Sequence, residues 1–135
     1  MNPRTIIDAL TSGGKTALIS SGAGCVILLA YSLLVNDKVV YLPYALMAVS
    51  LVSVLWGGIR GGMAAATVGW LHGGAVAGGY LFFVLVGKLL VFPAVDYSPA
   101  GLLLVLGILL AGGLGGVVGI NLKFARKQNR RYLIY

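Results

Sequence analysis

Residues 56–79 read WGGIRGGMAAATVGWLHGGAVAGG and lie at the centre of the chain, between two apolar runs. The stretch carries Arg60, both tryptophans (Trp56 and Trp70), the only histidine (His72) and the densest glycine. A basic residue among glycines, flanked by tryptophans, reads as a short turn at a membrane surface. Amphipathic aromatic rings prefer that interface. The glycines beyond the turn, spaced four apart, read as the packing face of the helix that follows.

Composition extends this reading to the whole chain. Of 135 residues 59% are hydrophobic and 10% are charged, with mean hydropathy +0.99. A soluble domain carries about a quarter charged residues, so this chain cannot cover itself in water and takes lipid as its solvent. The 21 glycines have no three-residue period and lie inside apolar runs, which excludes collagen and flexible linkers. The single Cys25 excludes an intrachain disulfide and a cysteine-based zinc site. A cleaved leader is not expected: the first apolar run is longer than a signal core, and no small-residue cleavage site follows it.

Working outward, four segments reach the length of about 20 residues that crosses a bilayer. They are 16–35, 41–59, 66–90 and 100–122. Continuous rather than alternating apolar residues exclude a closed barrel. The expectation is an all-α, four-helix transmembrane bundle forming one integral membrane domain, with a basic tail at 123–135. The lead 1–14 is expected to be separated from the first span by Gly13-Gly14. Asn36, Asp37 and Lys38 are expected to form one outer turn. Pro93, Asp96 and Pro99 are read as breakers of the other. Pro43 stands in the first turn of span two, where a missing N–H costs nothing.

Arg4, Lys15, Arg60, Lys123, Arg126, Lys127, Arg130 and Arg131 fall on one side of this topology, and only Lys38 and Lys88 on the other. Basic residues favour the cytoplasmic side, which places both termini in the cytoplasm. An offset of 55 pairs Gly14 with Gly69, Gly24 with Gly79, Gly57 with Gly112, Gly58 with Gly113, and Gly61 with Gly116. That register raises the alternative of two repeated helical hairpins.

Three groups of residues are candidates for function. Gly69, Gly73, Gly74 and Gly78, with Gly112, Gly116 and Gly119, form small-residue faces for helix packing, within the monomer or between copies. Arg60, His72, Lys88 and Asn121 are the polar groups available to a pathway through or beside the spans. Intramembrane ionisable groups are functional by default, although His72 at an interface and a snorkelling Lys88 need no pathway. Lys123, Arg126, Lys127, Arg130 and Arg131 suit anionic lipid headgroups better than nucleic acid, because the bilayer is beside them. Catalysis is not expected: the chain has no glutamate, no carboxylate pair, no triad spacing and no metal cluster, and Gly57–Gly62 lacks the features of a phosphate loop. No cofactor is expected.

The run Gly69-Trp70-Leu71-His72-Gly73 with Gly78-Gly79-Tyr80, and the close Gly115-Gly116-Val117-Val118-Gly119-Ile120-Asn121-Leu122, resemble the YrzE-like family of small four-span bacterial membrane proteins. The resemblance implies the same fold and location and brings no known activity. The function expected is non-enzymatic association of helices, as a homo-oligomer or as an accessory subunit of a larger membrane complex. The alternative is a small channel or transporter with a pathway near His72 and Lys88.

Overall fold

The computed structural model describes residues 3–34, 41–65, 68–91 and 99–132. They form four helices: α1 (Pro3–Leu34), α2 (Leu42–Ala64), α3 (Gly69–Val91) and α4 (Pro99–Tyr132). Among the described residues there is no strand. All four helices are long and apolar enough to cross a membrane, and the chain is a small multi-pass membrane protein.

The packing runs up-down-up-down. Gly13 and Ala17 of α1 meet Gly57 of α2, while Gly24 meets Val49, so α1 and α2 are antiparallel. Gly58 and Gly62 of α2 meet Gly112 and Gly116 of α4, so those two are parallel. They form the most extensive contact in the bundle. Gly69 and Gly73 of α3 meet Gly116 and Gly112, which makes α3 antiparallel to α4. The start of α1 and the end of α4 therefore share one end of the bundle with the α2–α3 turn. Helix α2 is central and contacts the other three.

The interior is built from small side chains. Ala9, Ala17, Ala65, Val54, Val76, Ala77, Tyr80 and Ile108 are buried, while most of the large leucines, isoleucines and phenylalanines point outward. Lipid tails are as apolar as leucine, so nothing drives large apolar groups inward. Close backbone approach between small residues supplies the packing instead.

Three boundaries differ from expectation. Helix α1 runs through Gly13-Gly14 without a break. Inside a bilayer a broken turn strands backbone groups at a cost of several kcal/mol each, whereas a helical glycine costs about 1 kcal/mol. Gly13 also has a packing role: a Cβ there would lie 2.6 Å from the Gly57 carbonyl oxygen and 2.6 Å from Val76 Cγ2. Helix α2 continues past Arg60 to Ala64, so Gly61 and Gly62 are helical rather than part of a turn, and the helix closes at Ala65. There the Ala65 N–H donates to the Gly61 carbonyl at 3.0 Å. Pro99 begins α4, since a proline at the first helical position forfeits no hydrogen bond. The expected turn residues Asn36, Asp37, Lys38, Pro93 and Asp96 lie outside the described residues.

The offset of 55 does not mark equivalent environments throughout. Gly57 and Gly112 each face the preceding helix, but Gly14 faces open space where Gly69 meets backbone. Gly113 likewise faces open space where Gly58 meets the Gly112 carbonyl.

Candidate functional site

The functional candidates concentrate at the end of the bundle that holds the α2–α3 turn. Its framework is a three-helix glycine junction. Gly112 and Gly116 of α4 sit between Gly58 and Gly62 of α2 on one side and Gly69 and Gly73 of α3 on the other. Each pair is four residues apart and thus lies on one helix face. A Cβ at Gly73 would meet the Gly112 carbonyl oxygen and come within 2.8 Å of Gly116 Cα. A Cβ at Gly116 would meet the Gly69 carbonyl oxygen and come within 2.9 Å of Gly73 Cα. Gly119 is closed in the same way by the Ile59 backbone. Gly74 and Gly78 differ from the rest of the expected packing set, because nothing lies within 4 Å of a Cβ at either position.

His72 stands in the first turn of α3 and is 2% exposed. Its backbone oxygen is near Gly61, as is the Ala9 carbonyl of α1, so α1, α2 and α3 meet here. The ring Nδ1 lies 2.8 Å from the Val68 carbonyl oxygen. A carbonyl only accepts, so Nδ1 carries the proton, and Nε2 of the neutral ring keeps a lone pair. Among the described residues Nε2 has no hydrogen-bond partner although it is buried. A buried unpaired acceptor costs about 1–3 kcal/mol. Replacing His72 with leucine should therefore raise stability by about 1 kcal/mol in detergent unfolding, since removing the orphan outweighs one local bond. A loss of stability of similar size would show instead that the imidazole is a packing element.

Among the described residues no hydrogen bond or ion pair joins the His72 side chain to the other candidates for a polar pathway. Arg60, Lys88 and Asn121 are all exposed. Lys88 lies 16 residues beyond His72 on the same helix, about 24 Å along its axis. Among the described residues no group of His, Cys, Asp or Glu is arranged to hold a metal.

Helix α4 carries the basic segment as an unbroken helix to Tyr132. Lys123 reaches back and donates to the Ala65 carbonyl at 2.5 Å. A lysine at the end of α2 satisfies an orphan carbonyl and complements the helix dipole. Lys123, expected among the headgroup contacts, is thus engaged in joining α4 to the turn. Arg126 and Lys127 are exposed, and the side chains at positions 130 and 131 lie outside the described residues.

Sequence reasoning missed several groups. Ser21 of α1 and Tyr80 of α3 place their hydroxyls 2.9 Å apart, crossing between two spans. Gly13, Gly24, Gly57, Gly58, Gly61 and Gly62 all meet other helices closely. Glycines four apart in α2 were a visible signal for that face; nothing in the sequence paired Ser21 with Tyr80. Two shallow grooves also emerge. One, of about 520 Å³, lies between α1 and α2 and is lined by Ser20, Gly24, Val49, Ser53 and Trp56. The other, of about 270 Å³, lies between α1 and α3.

No curated protein and no solved structure matches the chain. One family model, described as a protein of unknown function (DUF3792), matches residues 7–119. A four-helix membrane bundle whose match spans all four helices, from α1 well into α4, belongs to the DUF3792 family.

Proposed function

We propose that this protein is a non-enzymatic component of the bacterial cytoplasmic membrane that acts by associating helices. Both termini face the cytoplasm, and the assembly is a homo-oligomer or a larger complex in which this chain is an accessory subunit. The YrzE-like resemblance belongs to this reading. So does contact of Arg126, Lys127, Arg130 and Arg131 with anionic headgroups, which needs the basic end of α4 to be cytoplasmic.

One observation carries the proposal. Gly74 and Gly78 share a face of α3 but have open space before them, unlike Gly69 and Gly73, the pair that ends one residue before Gly74. Advancing one residue rotates the helix face by about 100°. The first pair thus packs inside the monomer and the second points away from it. In lipid an outward pair of glycines four apart is suited to receive another helix, because backbones approach closely there. The test is native mass spectrometry of protein released gently from its own membrane, comparing wild type with Gly74→Leu and Gly78→Leu. Both variants have room for the new side chain and should keep the fold, yet lose at least tenfold in assembly. Wild-type assembly in both variants sinks the proposal.

A second reading, a small channel or transporter, is supported by the unpaired His72 Nε2 alone. It predicts a flux in reconstituted vesicles that His72→Leu abolishes.

A further inference from the structure

We propose that the groove between α1 and α3 binds one anionic phospholipid, with Lys15 pairing with its phosphate. This inference stands apart from the association of copies. The groove is lined by Leu10, Thr11, Lys15, Leu18, Tyr80 and Phe83, with Gly14 and Gly79 in its floor. The two glycines create it. Nothing lies within 4 Å of a Cβ at Gly14, and at Gly79 only the tip of Leu10 does, at 3.4 Å.

Lys15 supplies the charge. It lies inside the apolar span that begins at Ile6, about nine residues and hence about 13 Å along the helix from its start. It is exposed, and among the described residues no carboxylate pairs with it. Asp8 is two turns away on the same helix, toward its start. A lysine at this depth extends its stem along apolar surface toward the interface, where lipid phosphate is the available counter-charge.

The groove continues from Lys15 away from the shared end of the bundle, along Leu18, Tyr80 and Phe83. That is the direction an acyl chain takes from its headgroup. The Thr11 hydroxyl stands on the headgroup side of Lys15. It donates to the Asp8 carbonyl at 3.2 Å and keeps acceptor capacity for a headgroup hydroxyl. One cation, one hydroxyl and an apolar trough in that order match a phospholipid such as phosphatidylglycerol. They do not match a zwitterion, whose own ammonium competes for the phosphate.

The test titrates the full-length protein in detergent with phosphatidylglycerol and with phosphatidylcholine, reading bound lipid by native mass spectrometry. One phosphatidylglycerol should bind about tenfold more tightly than phosphatidylcholine. Lys15→Gln should erase that preference, while Lys88→Gln should leave it. Gly14→Leu, which has room to fold, should fill the trough and weaken both lipids. Three results overturn the proposal: an unchanged preference in Lys15→Gln, loss of the preference in an Arg126→Gln/Lys127→Gln variant instead, or full displacement of the lipid by millimolar inorganic phosphate. The last would mean a bare anion site with no place for the chain.

Discussion

Gly116→Ala should disassemble the bundle, at a cost of about 3 kcal/mol for a single methyl group. Insertion of one methylene into a tight core costs about 1–3 kcal/mol when neighbours can adjust. At Gly116 the neighbours are backbone. The new Cβ would meet the Gly69 carbonyl oxygen and lie 2.9 Å from both Cα and N of Gly73. From the other side, the Gly116 backbone is already what closes off Gly62 of α2. A shift of α4 that relieves α3 therefore drives it against α2. Gly73→Ala should behave in the same way, because its Cβ would enter the Gly112 carbonyl.

The control is Gly74→Ala, one residue along, where the Cβ has open space and the higher helix propensity of alanine operates. Thermal unfolding in detergent should show Gly116→Ala and Gly73→Ala melting far below wild type, and Gly74→Ala at or slightly above it. Equal melting of all three would mean that the helices do not meet at glycine. This contrast also separates fold from assembly. A leucine at Gly73 or Gly116 would abolish association merely by unfolding the monomer, so the association test belongs at Gly74 and Gly78.

That distinction marks where the sequence stops being informative. Span number and helical form are readable because they follow from bilayer thickness and from the need to satisfy backbone groups internally. Both constraints act locally along the chain. Glycine spacing is equally visible, but Gly69-x3-Gly73 and Gly74-x3-Gly78 have the same pattern in the same helix. Which of two faces about 100° to 140° apart meets α4 depends on how α3 is rotated, and that is decided by residues some 40 positions away. The bond from Lys123 to Ala65 joins residues 58 apart, and the one between Ser21 and Tyr80 joins residues 59 apart. Neither leaves a local trace. The continuity of α1 through Gly13-Gly14 was hidden for another reason: glycine pairs break helices in water, and in lipid that rule is outweighed.

Tyr80→Ala should be the most damaging side-chain truncation in the bundle, at about 2–3 kcal/mol. Tyr80 is 4% exposed and packs with Ala17, Val54, Ala77 and Ile108. Its neighbours are mostly small, so little can swing in to fill the space. In water-soluble cores such truncations cost about 3–5 kcal/mol, part of which is transfer of apolar surface from water. Here the reference state is a helix already in lipid, so the transfer part nearly vanishes and the cavity part remains. The hydroxyl adds a separable contribution. Tyr80→Phe removes only the bond to Ser21 and should cost about 0.6 kcal/mol, the average for hydrogen bonds between membrane helices, and no more than about 1.7 kcal/mol. Ser21→Ala should cost a similar amount, and the double variant no more than either alone if the two hydroxyls serve each other. Additive losses would show that each has another partner. Because this contact ties α1 to α3, Tyr80→Ala should also loosen α1 selectively. Partly buried Cys25 on that helix gives the readout. Maleimide labelling at Cys25 should accelerate in Tyr80→Ala well below its melting temperature. A rate unchanged from wild type would mean that α1 is held by its glycine contacts with α2 alone.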